Sequence, residues 1–542
     1  MHFFFKSNQL MGAFGELPGL GSQPRCYNLL LQNARAKKGR ISLDRGDSMV
    51  NTDENKNIKT ARILAITFGL IAFLRGGLIV WAFSFGFYRD SNLYVNLGSA
   101  LFQRGGPFSS GVVTFPYPFM NAIAASAKSP LLLVWLQVLI GALAVGCLVY
   151  VLAKINPILG LIIGTLLAVD LVWGAINRNV MTEGLFVSFN ILSLAFLVSH
   201  YDRRQTLSTW ELFLVGLLYG WTFIFRPSSL FLTFLIIPLY LWFTHSWRKT
   251  VAVSGGMLLI YLVLGLFNLW SSGEFRIMGQ SGYYTGSPLF VYRLFSTENG
   301  PASQQLGGYL SGCMPDIDFT SVMESTAGGV RNNEVLYGQF IPCLNSYGLN
   351  LDQTSDLITQ AYVEGIKSRP IFYTGVLIRE GTTFLKYNVP YILRFYLKPE
   401  QNNRCSEYPW CENIRQGRYS WGAGLPFARL YERAATKLFQ IHLLLIQPLN
   451  LVLPQKSNLP FLAAWLILIA FLVLATRGST RFLVIACLLF IHYLILSVVS
   501  GYGFLERYAS ILTPFYIILS GTAIVTAGTL VWRAIKKYRA NR

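Results

Sequence analysis

Long apolar runs separated by short polar breaks restrict the fold of this 542-residue chain more than any other feature. A bilayer core requires about 17–25 apolar residues per helix. About ten segments qualify: 61–83, 131–153, 157–176, 184–200, 210–225, 228–244, 250–270, 459–476, 482–499 and 509–532. Two of them, 210–225 and 228–244, are short and need their flanks to span. Composition agrees, with 53% apolar and 13% charged residues, about half the charged fraction of a soluble domain. The fold class expected is an all-α polytopic membrane protein of about ten transmembrane helices with a large extracytoplasmic region of mixed structure.

Lysine and arginine set the orientation, because short cytoplasmic loops retain positive charge. Alternate breaks hold Lys154, then Arg203 and Arg204, then Arg248 and Lys249, then Arg477 and Arg481. The C-terminal tail adds Arg533, Lys536, Lys537, Arg539 and Arg542, and residues 1–60 are also basic. All fall on one side if both termini are cytoplasmic and the helix count is even. The net charge of +20 is thereby a topology signal, and a nucleic-acid partner is not expected. Residues 1–60 lack a signal-peptide core with a cleavage site and read as a disordered cytoplasmic tail.

Segment 61–270 then forms a transmembrane core whose first outer loop is 84–130, segment 271–458 lies outside, and 459–542 adds the last helices and a basic cytoplasmic tail. The outer segment contains Cys313, Cys343, Cys405 and Cys411, which permit two disulfides in an oxidising compartment. Cys405 with Cys411 and Cys313 with Cys343 are the pairs expected; free thiols are the alternative. The absence of an Asn-x-Ser/Thr sequon favours a bacterial inner membrane and periplasm over an ER lumen. Two helices broken at Arg369-Pro370 are expected in the outer segment. Residues 438–454, with Pro448 and Pro454, read either as an interfacial helix or as an eleventh span.

Ionisable residues at the edge of a membrane are costly and ask for a reason. Arg75 lies late in the first apolar run and Asp90 just beyond it. Glu183 opens the fourth run, Arg226 sits between the fifth and sixth, and Glu506 and Arg507 precede the last. The topology gathers them on the outward face. A carboxylate there suits a general base that takes a proton from an acceptor hydroxyl, and arginines suit a phosphate leaving group. The plainer reading is helix-end charges that snorkel to the interface and pair with one another. The histidines, including His245, His442 and His492, show no ligand spacing, and neither a Walker A loop nor a dinucleotide glycine fingerprint is present. No cofactor is expected, and a divalent metal lacks a supporting pattern. Aromatic residues such as Tyr283, Tyr284 and Trp410 are candidates for stacking on sugar rings.

The order of these features resembles the GT-C superfamily of membrane glycosyltransferases, in particular bacterial relatives of protein O-mannosyltransferases and of the lipid A aminoarabinose transferase. The resemblance rests on Arg75, on Asp90 with Tyr94 in an Asp-x-x-x-Tyr element, on Gly98, and on Phe115-Pro116-Tyr117-Pro118. It continues through Met181-Thr182-Glu183, Arg226-Pro227, and Glu506-Arg507-Tyr508 followed by Pro514. It spans approximately 61–532, with a poor match in the large loop. Many relatives carry a second acidic residue where Ser91 stands, and Asp170 has no place in the pattern.

The resemblance implies transfer of a sugar from a polyprenyl-phosphate carrier to an acceptor outside the membrane. Asp90 would be the catalytic base. Glu183, Arg226, Arg507, Tyr94, Arg75 and Glu506 would bind substrate. The partners implied are membrane lipid, the lipid-linked donor, and a glycan, lipid or protein acceptor. Two rival classes are a transporter or flippase of lipid-linked sugars and an assembly subunit whose outer loop binds a partner. The chain shows no internal repeat of the transporter kind.

Overall fold

The computed structural model describes residues 47–83, 91, 117, 119–120, 130–200, 206–226, 232–272, 275, 277, 282–313, 339–385 and 505–540. The chain divides into the units Met1–Ile58 and Lys59–Arg542. The first unit is described only from Asp47 onward, where it is helical; everything below concerns the second.

Helix α1, Asp47–Phe83, begins before the apolar run that opens at residue 61. It is followed by α2, Pro130–Ile155, α3, Pro157–Val169, and α4, Leu171–Asn177. Next come α5, Thr182–Ser199, α6, Thr209–Ile224, α7, Leu232–Thr244, and α8, Trp247–Ser272. Among the described residues the structure contains no strand, and five helices are long and apolar enough to cross a membrane: 57–80, 132–155, 182–199, 247–270 and 513–540. The last lies within α14, Leu505–Ala540. The expected spans 459–476 and 482–499, and segment 438–454, lie outside the described residues.

Local sequence explains several boundaries. Asn156 caps α3 by accepting from the backbone N–H groups of Ile158 and Leu159, with Pro157 at the first helical position. Ser208 and Glu211 form a reciprocal capping box at the start of α6. The run 157–176, expected as one helix, is instead two. Asp170 interrupts it, and its carboxylate accepts from Val172 N at 3.1 Å and Trp173 N at 3.0 Å, so it ends α3 and caps α4 at once.

Helices α6 and α8 pack closely because Gly216 and Gly220, four residues apart, lie against α8, Gly216 beside Val253 and Gly256 and Gly220 beside Met257 and Ile260. A methyl group at Gly216 would collide with the Val253 carbonyl, and one at Gly256 with the Phe213 carbonyl. Small residues in this spacing allow membrane helices to approach backbone to backbone. Elsewhere α2 packs on α3 and α5, and α14 runs along α3 and α4. One buried apolar cluster, from Phe68 to Leu519, unites these helices.

A second, separate core lies within residues 282–385. It is built from α9, Gly282–Val291, α10, Pro301–Cys313, α11, Ile341–Ser346, α12, Leu351–Ser368, and α13, Pro370–Leu385. Leu289, Leu294, Leu306, Phe340, Leu344 and Ala361 form its centre. The break at Arg369 stands where expected, because the residue before proline is pushed out of the helical region. Cys313 and Cys343 are joined in a disulfide with Cα atoms 5.8 Å apart, the pairing expected. The carboxylate of Glu364 on α12 accepts from the backbone of Ala302 at 3.1 Å and Ser303 at 2.8 Å at the start of α10.

Candidate active site at the turn between α4 and α5

The turn 178–181 links α4 to α5 and delivers Glu183 into the first turn of α5. An acidic residue there is favoured by the positive end of the helix dipole. Glu183 is fully buried and Arg226, just past α6, is 6% exposed. Arg226 Nη1 lies 3.2 Å from Glu183 Oε1. The Thr182 hydroxyl donates to Glu183 Oε2 at 3.4 Å. The guanidinium carbon of Arg226 stands 5.8 Å from the centre of the Phe186 ring, and the preceding Phe225 stacks on Phe189 at 5.7 Å. Two residues 43 positions apart in sequence thus form one sealed ion pair against aromatic surface.

The turn itself is held from three sides. Gln137 Nε2, on α2, donates to the carbonyls of Asn177 and Asn179, each at 2.8 Å. Gln137 Oε1 accepts from the Tyr117 hydroxyl at 2.9 Å. The Ser91 hydroxyl donates to Val180 O at 2.7 Å. A carboxylate at position 91 accepts only and would oppose that carbonyl, so serine suits this place where the resemblance places a second acid. The Asn177 side chain fits between Gly141 and Gly184, where a β-carbon on either glycine would press against it.

Arg75 sits at the break between α3 and α4. Its Nη1 donates to the carbonyls of Leu167 at 2.8 Å and Ala168 at 3.0 Å, and also to that of Asp170. Helix α3 stops there, its last turn closed by Asp170 N donating to Leu167 O at 3.3 Å, and a cation suits a helix C-terminus. The structure therefore brings Glu183 and Arg226 into contact and places Arg75 one short helix away. Glu506 and Arg507 occupy the first turn of α14. Asp90 and Tyr94 lie outside the described residues, as do Trp410, Cys405 and Cys411, and the side chains of Tyr283 and Tyr284 are likewise outside them.

Residues not singled out from sequence complete the site: Gln137, Asn177, Asn179 and the fully buried Arg178. Gln137 carried the clearest signal, being the one amide within the apolar run 131–153. Among the described residues no group of three or more His, Cys, Asp or Glu stands together as metal ligands do. An open apolar groove of about 770 Å³ lies between α1, α2 and α5, lined by Ala142, Gly146, Leu192 and Phe196 among others. Leu192 and Glu183 are nine residues apart on α5, or two and a half turns, so they point to opposite faces, and the groove is separate from the ion pair.

A helical membrane bundle with buried, paired charge at one end of its spans defines a class of integral membrane proteins with a polar site beside the bilayer. Residues 117–271 match the protein family described as dolichyl-phosphate-mannose-protein mannosyltransferase, part of the GT-C superfamily. That segment contains Tyr117, Gln137, the turn 178–181, Glu183 and Arg226, and over it the chain is similar to membrane glycosyltransferases of GT-C type. No curated protein matches the chain.

Proposed function

We propose that the chain moves a sugar from a polyprenyl-phosphate carrier to an acceptor hydroxyl on the extracytoplasmic side of the membrane, with Asp90 as general base. The family description points to mannose as the sugar. The observation that carries the reading is the buried Glu183–Arg226 pair inside the segment that matches the family. The Cys313–Cys343 disulfide supports an oxidising outer compartment for segment 271–458, and the arginine and lysine asymmetry supports the same side.

In this reading the acceptor oxygen attacks the anomeric carbon as Asp90 takes its proton. The bond from that carbon to the phosphate oxygen breaks, and the electron pair leaves with the lipid phosphate. A single displacement of this kind inverts the anomeric configuration. Arg226 and Arg507 stabilise the negative charge that grows on the phosphate. Glu183 fixes the Arg226 guanidinium in one orientation and limits the cost of burying it. Asn179 Oδ1, buried at the same turn and without a hydrogen-bond partner among the described residues, is the kind of acceptor that a substrate hydroxyl would satisfy.

The test is turnover by purified protein of a radiolabelled short-chain polyprenyl-phosphate mannose with a hydroxyl acceptor. General-base assistance contributes about 10²–10⁴-fold, so Asp90→Asn is expected to lose that much turnover with unchanged thermal midpoint and donor binding. Near wild-type turnover in Asp90→Asn together with an inactive Glu183→Gln would move the base to Glu183. Translocation of the lipid-linked sugar without transfer would replace the reading with a flippase.

A further inference from the structure

We propose that Gln137 is a positioning residue that holds both members of the Glu183–Arg226 pair in register for the donor phosphate. The inference rests on the reading of that pair as the donor site.

Two arms leave Gln137. One runs from Nε2 to the carbonyls of Asn177 and Asn179, which begin the turn ending at Glu183. The other runs from Oε1 to the Tyr117 hydroxyl. The Tyr117 ring stands edge-on to Phe225 at 6.5 Å, and Phe225 immediately precedes Arg226. One amide, buried in α2, therefore reaches the carboxylate through the backbone on one side and the guanidinium through an aromatic contact on the other. Only an amide serves both arms: an alcohol is too short, a carboxylate lacks the donor, and an ammonium lacks the acceptor. The carbonyls at 177 and 179 cannot be removed by mutation, so no apolar substitution at 137 can be matched by deleting its partners. The Asn179 carbonyl also accepts from Met181 N at 2.8 Å, so the Asn177 carbonyl is the one that Gln137→Leu deprives of its side-chain donor, and a buried carbonyl left short of a donor lets the turn relax and carry Glu183 with it.

A double-mutant cycle tests this, read by equilibrium binding of short-chain polyprenyl-phosphate mannose and by kcat and KM, with thermal midpoints measured alongside. Gln137→Leu and Arg226→Ala are each expected to weaken donor binding by about tenfold, a change of about 1.4 kcal/mol. Combined, they should be no worse than Arg226→Ala alone, because contacting elements of one network are not additive. Tyr117→Phe, which breaks only the outer arm, should show a smaller loss in the same direction. A residue that merely supports the fold would lower the thermal midpoint and leave the affinity of the folded fraction alone. Wild-type donor affinity in Gln137→Leu beside a weakened Arg226→Ala overturns the positioning role and leaves the donor site standing. Full additivity in the cycle also overturns it. Should Gln137→Leu not fold, the cycle runs with Tyr117→Phe, where wild-type affinity or additivity has the same meaning. Unchanged affinity in Arg226→Ala itself sinks the donor-site reading instead.

Discussion

At Glu183 and Arg226 the structure sets two opposite charges 3.2 Å apart with almost no water contact. Removing one partner of such a pair strands the other and costs about 3–5 kcal/mol, whereas replacing both with apolar or neutral side chains is often harmless to stability. Glu183→Ala is thus expected to lower the thermal midpoint sharply in detergent. The double variant Glu183→Gln, Arg226→Met should regain most of it and yet remain inactive. Recovery of activity in the double variant would show the pair to be structural alone. Glu364, half-buried on α12, behaves differently. Burial works to raise its pKa, but hydrogen bonds from Ser303 and Ala302 and the charge of Lys367 prevail, and the net shift is downward. A lowered pKa means that the carboxylate contributes stability above its unfolded value, about 4.3, and that this is lost as pH falls through the folded value. Thermal midpoints of wild type and Glu364→Gln should therefore converge below about pH 4 and separate above it. Charged residues at run edges were legible in sequence because charge next to bilayer is costly. The partner of each was not, because pairing at 43 residues' separation depends on which helices are neighbours.

Helix ends and seams show the same division. The proline after Arg369 fixed one break from sequence alone, since the restriction is local. The break at Asp170 escaped, because a lone carboxylate in an apolar run reads equally as a ligand or a cap, and only Val172 N and Trp173 N decide. Arg75 escaped in part for the same reason: its place at the carbonyls of the last turn of α3 follows from a helix end that the apolar pattern conceals. At the seam of α6 and α8, adjacent glycines should respond in opposite ways. Gly256 meets backbone of α6, whereas a β-carbon at Gly255 has nothing within 4 Å. Gly256→Ala should destabilise by about 1–3 kcal/mol through overpacking. Gly255→Ala should be neutral or stabilise by up to about 1 kcal/mol through helix propensity. Thermal midpoints of the two variants check this, and equal effects would refute the close-packed seam.

Across the whole chain, the five long apolar helices among the described residues and the paired helices α12 and α13 of the second core were visible as runs and breaks. Helix neighbours were not, because apolar periodicity says little about which faces meet when lipid is as apolar as protein. The orientation proposed here makes a direct forecast. A cysteine introduced at Gln205 should resist an impermeant thiol reagent in intact cells, and one placed in 271–458 should react. Labelling of position 205 from outside would reverse the assignment.

The bond between Cys313 and Cys343, 30 positions apart, has a practical corollary. It closes the intervening chain into a covalent ring whose ends belong to the packed helices α10 and α11. A protease cut within that ring releases no fragment until a reductant is added, so nicked and intact protein should run together on a non-reducing gel. The ring is also a docking port for engineering. Its ends are already pinned 5.8 Å apart at their Cα atoms, and each doubling of its length adds only about 0.6 kcal/mol of closure entropy. An epitope or a small reporter domain spliced between them should leave both helical cores assembled.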